Sequence, residues 1–207
     1  INLNGSGYNI IRNNIVSSNL NDGISVYYGS NNTTLTDNTT NSNKYSGIRI
    51  ANSSNTTITK NTVNSNGSGG INISGSNNNT IITNTANSNV FYGISFSSTS
   101  GNICVNNTSS LNRYGLIMSS SISNIIYHNN IYKNTTRQVE NNQAVELSYN
   151  QEGNWWGRVC EGALPHKLFI AGVDSNRTDV VDSWPYARKD AWLDGLPPGC
   201  LEDTIPP

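Results

Sequence analysis

This chain has little charge: Asp, Glu, Lys and Arg make up 12% of its 207 residues, against a usual share of about 25%. Disordered chains are usually held open by charge, so the shortage argues against ordinary disorder. The net charge is −1 and no basic cluster is present, which removes the electrostatic basis for a nucleic-acid surface. No apolar run approaches the ~20 residues of a membrane span, and nothing at the start reads as a signal peptide. The chain begins inside its own pattern at INLNGSGYNI, so any export signal is expected to have been removed or to lie upstream. Histidine occurs only as His128 and His166, too few for a copper or zinc site. No metal and no cofactor is expected.

Asparagine takes the place of what is missing. It occurs 37 times, all but once before residue 155, a bias that calls for a search for repeats before order or disorder is assigned. Gly followed by an apolar residue recurs at Gly23-Ile24, Gly47-Ile48, Gly70-Ile71, Gly93-Ile94 and Gly115-Leu116, at intervals of 24, 23, 23 and 22 residues. Other columns keep that period. Ile11, Leu35, Ile58, Ile81, Cys104 and Ile126 form one apolar stack and Ile24, Ile48, Ile71, Ile94 and Leu116 a second. Val26, Ile50, Ile73, Phe96 and Met118 form a third, and Val16, Thr40, Val63, Ala86, Ser109 and Ile131 a smaller fourth. Apolar positions two apart within a coil are the strand period, so each coil holds short strands.

Asn has columns of its own: Asn14, Asn38, Asn61, Asn84, Asn107 and Asn129, then Asn19, Asn43, Asn66, Asn89, Asn112 and Asn134. Stacked at about 4.8 Å, identical amides donate and accept along the axis while satisfying the backbone of sharp corners. Each such bond contributes about 1 kcal/mol net. One coil buries only a few aliphatic side chains, worth about 1.5–3 kcal/mol each, too little against its ordering entropy. Stacked neighbours supply the rest of the core.

The stretches ITKNTVNSNGSGGINI and IITNTANSNVFYGISF, with the terminal GNWWG, resemble the right-handed parallel β-helix repeat of NosD-like proteins and of the carbohydrate-binding and sugar-hydrolase β-helix group, over residues 8 to 157. The matched residues are core and corner positions, so the resemblance implies fold more than function. The expected fold is all-β: a right-handed, single-stranded parallel β-helix with coils of about 23 residues over residues 1–150, and a C-terminal cap with the start of a linker over 151–207.

After Asn134 the register is expected to survive only through an insertion, TTRQVENN, before AVEL resumes the inward alternation with Val145 and Leu147. An open solenoid end needs a cover, and Trp155, Trp156, Trp184 and Trp192 are the expected covering groups. NosD-like chains often continue with an Asp- and Gly-rich stretch ending in Pro-Tyr. Here DSNRTDVVDSWPYARKDAW keeps Trp184-Pro185-Tyr186 but not the Asp-Gly alternation. Asp174, Asp179 and Asp182 lack the spacing of an EF-hand loop and are read as no calcium site. Cys104 falls in a core column as a small hydrophobe. Cys160 and Cys200 both lie in the cap, where a disulfide would close a 40-residue interval, contribute about 4 kcal/mol in the loop-entropy view and suit an oxidising exterior. The final LEDTIPP resembles the lead-in to immunoglobulin-like modules of microbial surface proteins, which implies one module of something longer.

Glycoside hydrolysis takes two carboxyl groups about 5 to 9.5 Å apart, and β-helix lyases, which this fold resembles, use acidic clusters, often with calcium, plus a basic residue. Up to residue 139 the coils hold only Asp22 and Asp37, expected on different sides of the coil. Glu140, Glu146 and Glu152, with Arg137 and Arg158 close in sequence, read first as solvated charges at the cap junction. Tyr45, Phe91, Tyr92 and Tyr114 fall just before the Gly positions of successive coils; a flat ladder of these rings is a candidate sugar platform, beside the plainer reading of local packing. Two outward columns flank the inward Ile11 stack: Ile10, Thr34, Thr57, Thr80, Ile103 and Ile125, and Arg12, Thr36, Thr59, Ile82, Val105 and Tyr127. They predict a flat, β-branched, nearly uncharged face, a candidate for lateral assembly, although β-branched residues also simply suit strands. Its Thr34-Leu35-Thr36 and Thr57-Ile58-Thr59 units resemble the faces of ice-binding β-helices. The N-x-S/T sequons include Asn32, Asn52, Asn55, Asn72, Asn78 and Asn176. Glycans are expected only on outward positions such as Asn72, since Asn38 and Asn107 point into the ladder.

These features favour a non-catalytic extracellular module of a cell-surface protein, either glycan-binding or adhesive. Its partners would be a polysaccharide or other modules of the same protein. A polysaccharide-acting enzyme (lyase, hydrolase or epimerase) with its site near residues 135–143 is the first alternative, and a structural subunit assembling through the Thr/Ile/Val face the second.

Overall fold

The structure, a computed structural model, describes residues 1–142, 145–157, 168–169, 180–182, 186 and 189–194. The chain winds into a parallel β-solenoid with three faces. The wide face is a seven-stranded sheet, running from Asn2–Asn4 through Ile24–Tyr27, Ile48–Ala51, Gly69–Ser74, Tyr92–Ser97 and Tyr114–Ser119 to Arg137–Asn141. The narrow face stacks six three-residue strands, from Ile10–Arg12 to Ile125–Tyr127. The third is built from Thr85–Asn87, Thr108–Ser110 and Asn130–Tyr132, and single bridges Ile15 to Thr39, Thr39 to Thr62 and Thr62 to Thr85 extend it to the earlier coils. Among the described residues no helix is long and apolar enough to cross a membrane.

The register is the one the columns predict. Ile24 pairs with Ile48, Ile71, Ile94 and Leu116 in succession, and Ile11 begins the stack that ends at Ile126. Strand alternation sends these side chains inward, and from Ile24 to Met118 they are almost wholly shielded from solvent. Volume is balanced within each coil. Phe96, the largest fully buried side chain among the described residues, shares its coil with Cys104 and Ser109, where its neighbour one coil back combines Ile73 with Ile81 and Ala86. Dense interiors tolerate a bulky ring only where facing positions shrink. Burial pushes the Cys104 thiol up to about 12, against a weaker opposite effect of Asn107.

Each corner is made by a residue with positive φ followed by an inward polar side chain. Asn13, Asp37, Lys60, Thr83, Asn106 and His128 adopt the left-handed conformation, and each precedes a member of the first Asn ladder. In that ladder every Nδ2 donates to the Oδ1 of the next coil at 2.9–3.0 Å, and the same Oδ1 accepts the backbone N–H of the preceding coil's Asn. Nδ2 also reaches back, as from Asn61 to the carbonyl of Leu35 at 2.9 Å and from Asn84 to that of Ile58 at 2.8 Å. One amide therefore ties three coils together. The second ladder runs from Asn19 to Asn134 and ends on Gln138 Oε1.

The Gly23 column is needed for space. A Cβ at Gly47 would lie 2.2 Å from Val63 Cγ1 and one at Gly93 1.9 Å from Ser109 Oγ. At these two glycines the wide sheet passes directly over the smaller core column.

The expected insertion after Asn134 is not one. Arg137–Asn141 is the seventh strand of the wide sheet, with Val139 opposite Leu116 and Glu140 opposite Ile117. The change that hides it in the sequence is Gln138-Val139 where earlier coils carry Gly followed by Ile or Leu. The first ladder goes on to Asn154, and Trp155 bridges to Asn130. At its end stands Asp182, fully buried, whose Oδ2 accepts the N–H of Asn154 at 2.8 Å and the indole N–H of Trp156 at 2.9 Å. Its role is to close the ladder. Trp156 is buried and Trp155 packs against Tyr132, with ring centroids 4.7 Å apart and planes at 48°. Cys160, Cys200, Asp174, Asp179, Arg158, Asn176, Trp184 and the side chain of Trp192 lie outside the described residues.

Candidate functional site

The outward face of the wide sheet gathers the chemistry. At its first coils a groove of about 520 Å³ is lined by Asn2, Asp22, Ser25, Tyr27, Tyr45 and Arg49 among others. Asp22 is held from three sides. Its Oδ2 accepts from the Tyr27 hydroxyl at 2.9 Å and from Ser25 Oγ at 3.5 Å, and its Oδ1 accepts the Ser46 N–H at 2.8 Å. Burial pushes the Tyr27 phenol above its usual value; Ser25 acts the other way and Asp22 adds to the rise. Tyr27 therefore stays a protonated donor at neutral pH.

Arg49 stands one strand on from Ser25 and one before Asn72 in the same outward column. Its guanidinium lies 5.6 Å from the Tyr27 ring centroid, a cation–π contact, and among the described residues no carboxylate forms an ion pair with it. Tyr45, 48% exposed as a residue, lines the groove. The groove thus offers an aromatic face, a fixed acceptor and a cation with donors to spare.

The four aromatic residues that are candidates for a flat ladder do not stack. Tyr92 is only 7% exposed: its ring fills the space left by Gly69, where a Cβ would lie 1.9 Å from Cε2. Its hydroxyl lies 3.2 Å from Ser46 Oγ and accepts from Asn72 Nδ2 at 2.9 Å. Phe91 and Tyr114 meet edge to face, with centroids 5.2 Å apart and planes at 73°, and Arg113 lies over both. Only Tyr45 belongs to the groove. Tyr92 and Tyr114 open paired strands whereas Tyr45 and Phe91 precede the strands of their coils, so the four rings do not share one column.

Elsewhere several carboxylates are engaged locally. Arg137 and Glu140 form an ion pair within the last strand of the wide sheet. Asp37 accepts from Thr36 Oγ1 at 2.8 Å on the narrow side, away from Asp22. His128 Nε2 lies 2.9 Å from Glu152 Oε2, and the Tyr186 hydroxyl contacts both. Among the described residues no group of three or more His, Cys, Asp or Glu is arranged to hold a metal ion.

On the narrow face Thr34, Thr36, Thr57, Thr59, Thr80 and Ile82 point outward in register and are half-buried, while Val105 in the same column is buried. Of the sequon residues, Asn32, Asn52, Asn55 and Asn78 are exposed at left-handed corners, and Asn72 is half-buried with its amide engaged by Tyr92. Sequence reasoning passed over Asp22, Tyr27 and Arg49 as a group. The signal was present: extending the register by one residue places Ser25, Arg49 and Asn72 in one outward column.

A family model described as "Right handed beta helix region" matches residues 1–154. The chain belongs to the right-handed β-helix family. None of the curated protein sequences compared with this β-helix matches it. Among solved structures it is similar to the T265N mutant of the periplasmic alginate epimerase AlgG, with a TM-score of 0.54 and 20% sequence identity over 80% of this chain. The β-helix spans 40% of that enzyme's length, and the likeness is one of fold.

Proposed function

We propose that this β-helix is a non-catalytic, carbohydrate-binding module of an extracellular or cell-surface protein, and that it takes its glycan along the wide-sheet groove. The observation that carries the reading is the convergence of the exposed Tyr45 ring, the Arg49 guanidinium and the oriented Asp22 carboxylate in one open groove. Apolar sugar faces pack on exposed rings, while ring hydroxyls and acidic substituents take the donors and acceptors. The fold it shares with an alginate epimerase is consistent with a polysaccharide ligand.

Affinity electrophoresis through gels containing neutral and acidic polysaccharides tests this, with the same mixtures assayed for new reducing ends and unsaturated products. Retardation without products is expected. Tyr45→Ala and Arg49→Ala should each weaken it about 10-fold, the equivalent of ~1.4 kcal/mol. Products would replace the binding module with the enzyme, for which the Asp22–Tyr27 pair beside Arg49 is the specific observation. Absence of both, with concentration-dependent dimers in sedimentation, would move the function to the narrow Thr/Ile/Val face.

A further inference from the structure

On the third face a short 3₁₀ segment, Ala191–Asp194, crosses the coils and closes over a second cavity. Asp190, just before it, is fixed to the solenoid: its Oδ1 accepts from Asn130 Nδ2 at 2.6 Å and its N–H donates to Asn130 Oδ1 at 3.2 Å. Between segment and coils lies a half-open space of about 240 Å³, lined by Thr83, Thr85, Asn106, Thr108, Asp190 and Leu193. We propose that this space is a binding site for a single neutral sugar residue, distinct from the wide-sheet groove and not dependent on it.

Three features carry the inference. First, Asn106 Oδ1 is buried without a hydrogen-bond partner, and a buried acceptor left unpaired is costly enough that a donor is normally supplied. Second, the hydroxyls of Thr83, Thr85 and Thr108 make no hydrogen bond among the described residues, so three groups able to donate or accept face the same space. Third, the charge there is already balanced, because the Asp190 carboxylate lies 3.6 Å from Lys189 Nζ while also receiving the Asn130 amide. A cation would find a single carboxylate, already shared with Lys189 and Asn130, and neutral oxygens, whereas a polyol can donate to Asn106 Oδ1 and both donate to and accept from the hydroxyls. Leu193, 70% exposed, and the threonine methyls supply the apolar wall against which the C–H face of a sugar ring packs. The volume is below the ~300–1,000 Å³ of sites for larger ligands and suits one ring, such as a chain end or a side branch.

The test is titration of the ¹⁵N-labelled chain with methyl glycosides of glucose, galactose, mannose and N-acetylglucosamine, and separately with ammonium chloride, followed by amide chemical shifts. Saturable shifts at Thr85, Asn106 and Thr108 are expected for at least one sugar, with a Kd of about 1 mM, as the contacts of so small a ligand allow. Thr108→Val keeps shape and strand propensity and should weaken binding about 5-fold, while Arg49→Ala should leave it unchanged. Shifts confined to the wide-sheet groove, an affinity that Thr108→Val does not alter, a response to ammonium alone, or no saturable shift in a folded sample would each overturn the assignment. Loss of polysaccharide retardation in the gels would not, since that experiment reads the other face.

Discussion

Asparagines on the two sides of the wall do different work. Inside the corners Asn84 is 1% exposed; its Oδ1 accepts two N–H groups of Asn61, and its amide donates to Ile58, Ile82 and Asn107. Outside, Asn77 is exposed and accepts one N–H, from Ser100 at 2.8 Å. Direction differs as well as burial. The inner ladders pass their bonds toward the C-terminal coils, whereas outward Asn41, Asn64 and Asn87 accept from the coil that follows them. An exposed partner can be replaced by water, and a buried one cannot. One residue type thus serves as frame on the inside and as replaceable surface on the outside.

The largest effect should come from breaking the frame. Asn84→Ala takes the acceptor from the buried Asn61 N–H and one partner from the Ile58 carbonyl, while Asn61 Nδ2 keeps the Leu35 and Thr59 carbonyls; at about 1–3 kcal/mol for an unmet buried group, a loss of ~2–3 kcal/mol is expected. Asn77→Ala should cost less than about 1 kcal/mol. Urea unfolding of both variants checks the pair. Equal losses would mean that the ladder adds no more than its exposed counterpart, and the fold would rest on its aliphatic columns alone.

This division also explains what could be read from the sequence. Period, core columns and both main Asn ladders were legible because each coil repeats the same residue at the same place, and inward positions admit few substitutes. A third inner stack, in which Thr56, Asn79 and Asn102 donate their N–H groups to Asn79, Asn102 and Asn124, escaped because Thr33 and Thr56 replace Asn in its earlier coils. The seventh strand escaped for a similar reason, since Gln138 breaks the Gly marker while Val139 keeps the core. The candidate site was less legible still. Asp22, Tyr27 and Arg49 each occur once in their columns, so no repetition draws attention to them, and only the fold brings them together.

The aromatic column sharpens the comparison at intermediate size. Tyr92 belongs to the frame although it lies on the outer surface, so Tyr92→Phe, which removes the bonds to Ser46 and Asn72, should cost about 1 kcal/mol. Tyr45→Ala should change stability by less than about 0.5 kcal/mol while weakening glycan retardation. Thermal unfolding and the affinity gels together separate the two. A Tyr92→Phe variant that keeps full stability but loses retardation would return Tyr92 to the ligand face.

The smallest effect tests the corners themselves. Leu111 occupies a left-handed position, φ 58°, where the equivalent residues are Ser18, Ser42, Ser65, Ser88 and Lys133, and the residue is 56% exposed. A Cβ-bearing residue is strained there by roughly 1–2 kcal/mol, while Asn visits the region more readily because its side chain bonds locally. Little packing is lost when so exposed a leucine is removed, so relief of strain should win. Leu111→Asn is expected to stabilise by about 0.5–1 kcal/mol, raising Tm by ~1–4 °C in a chain of this size. A lower Tm would show that Leu111 gains more from its remaining contacts than it loses to strain. An unchanged Tm would show that the inward Asn112, bonded to Ala86, Ser109 and Asn134, fixes the corner so firmly that the residue before it carries no preference of its own.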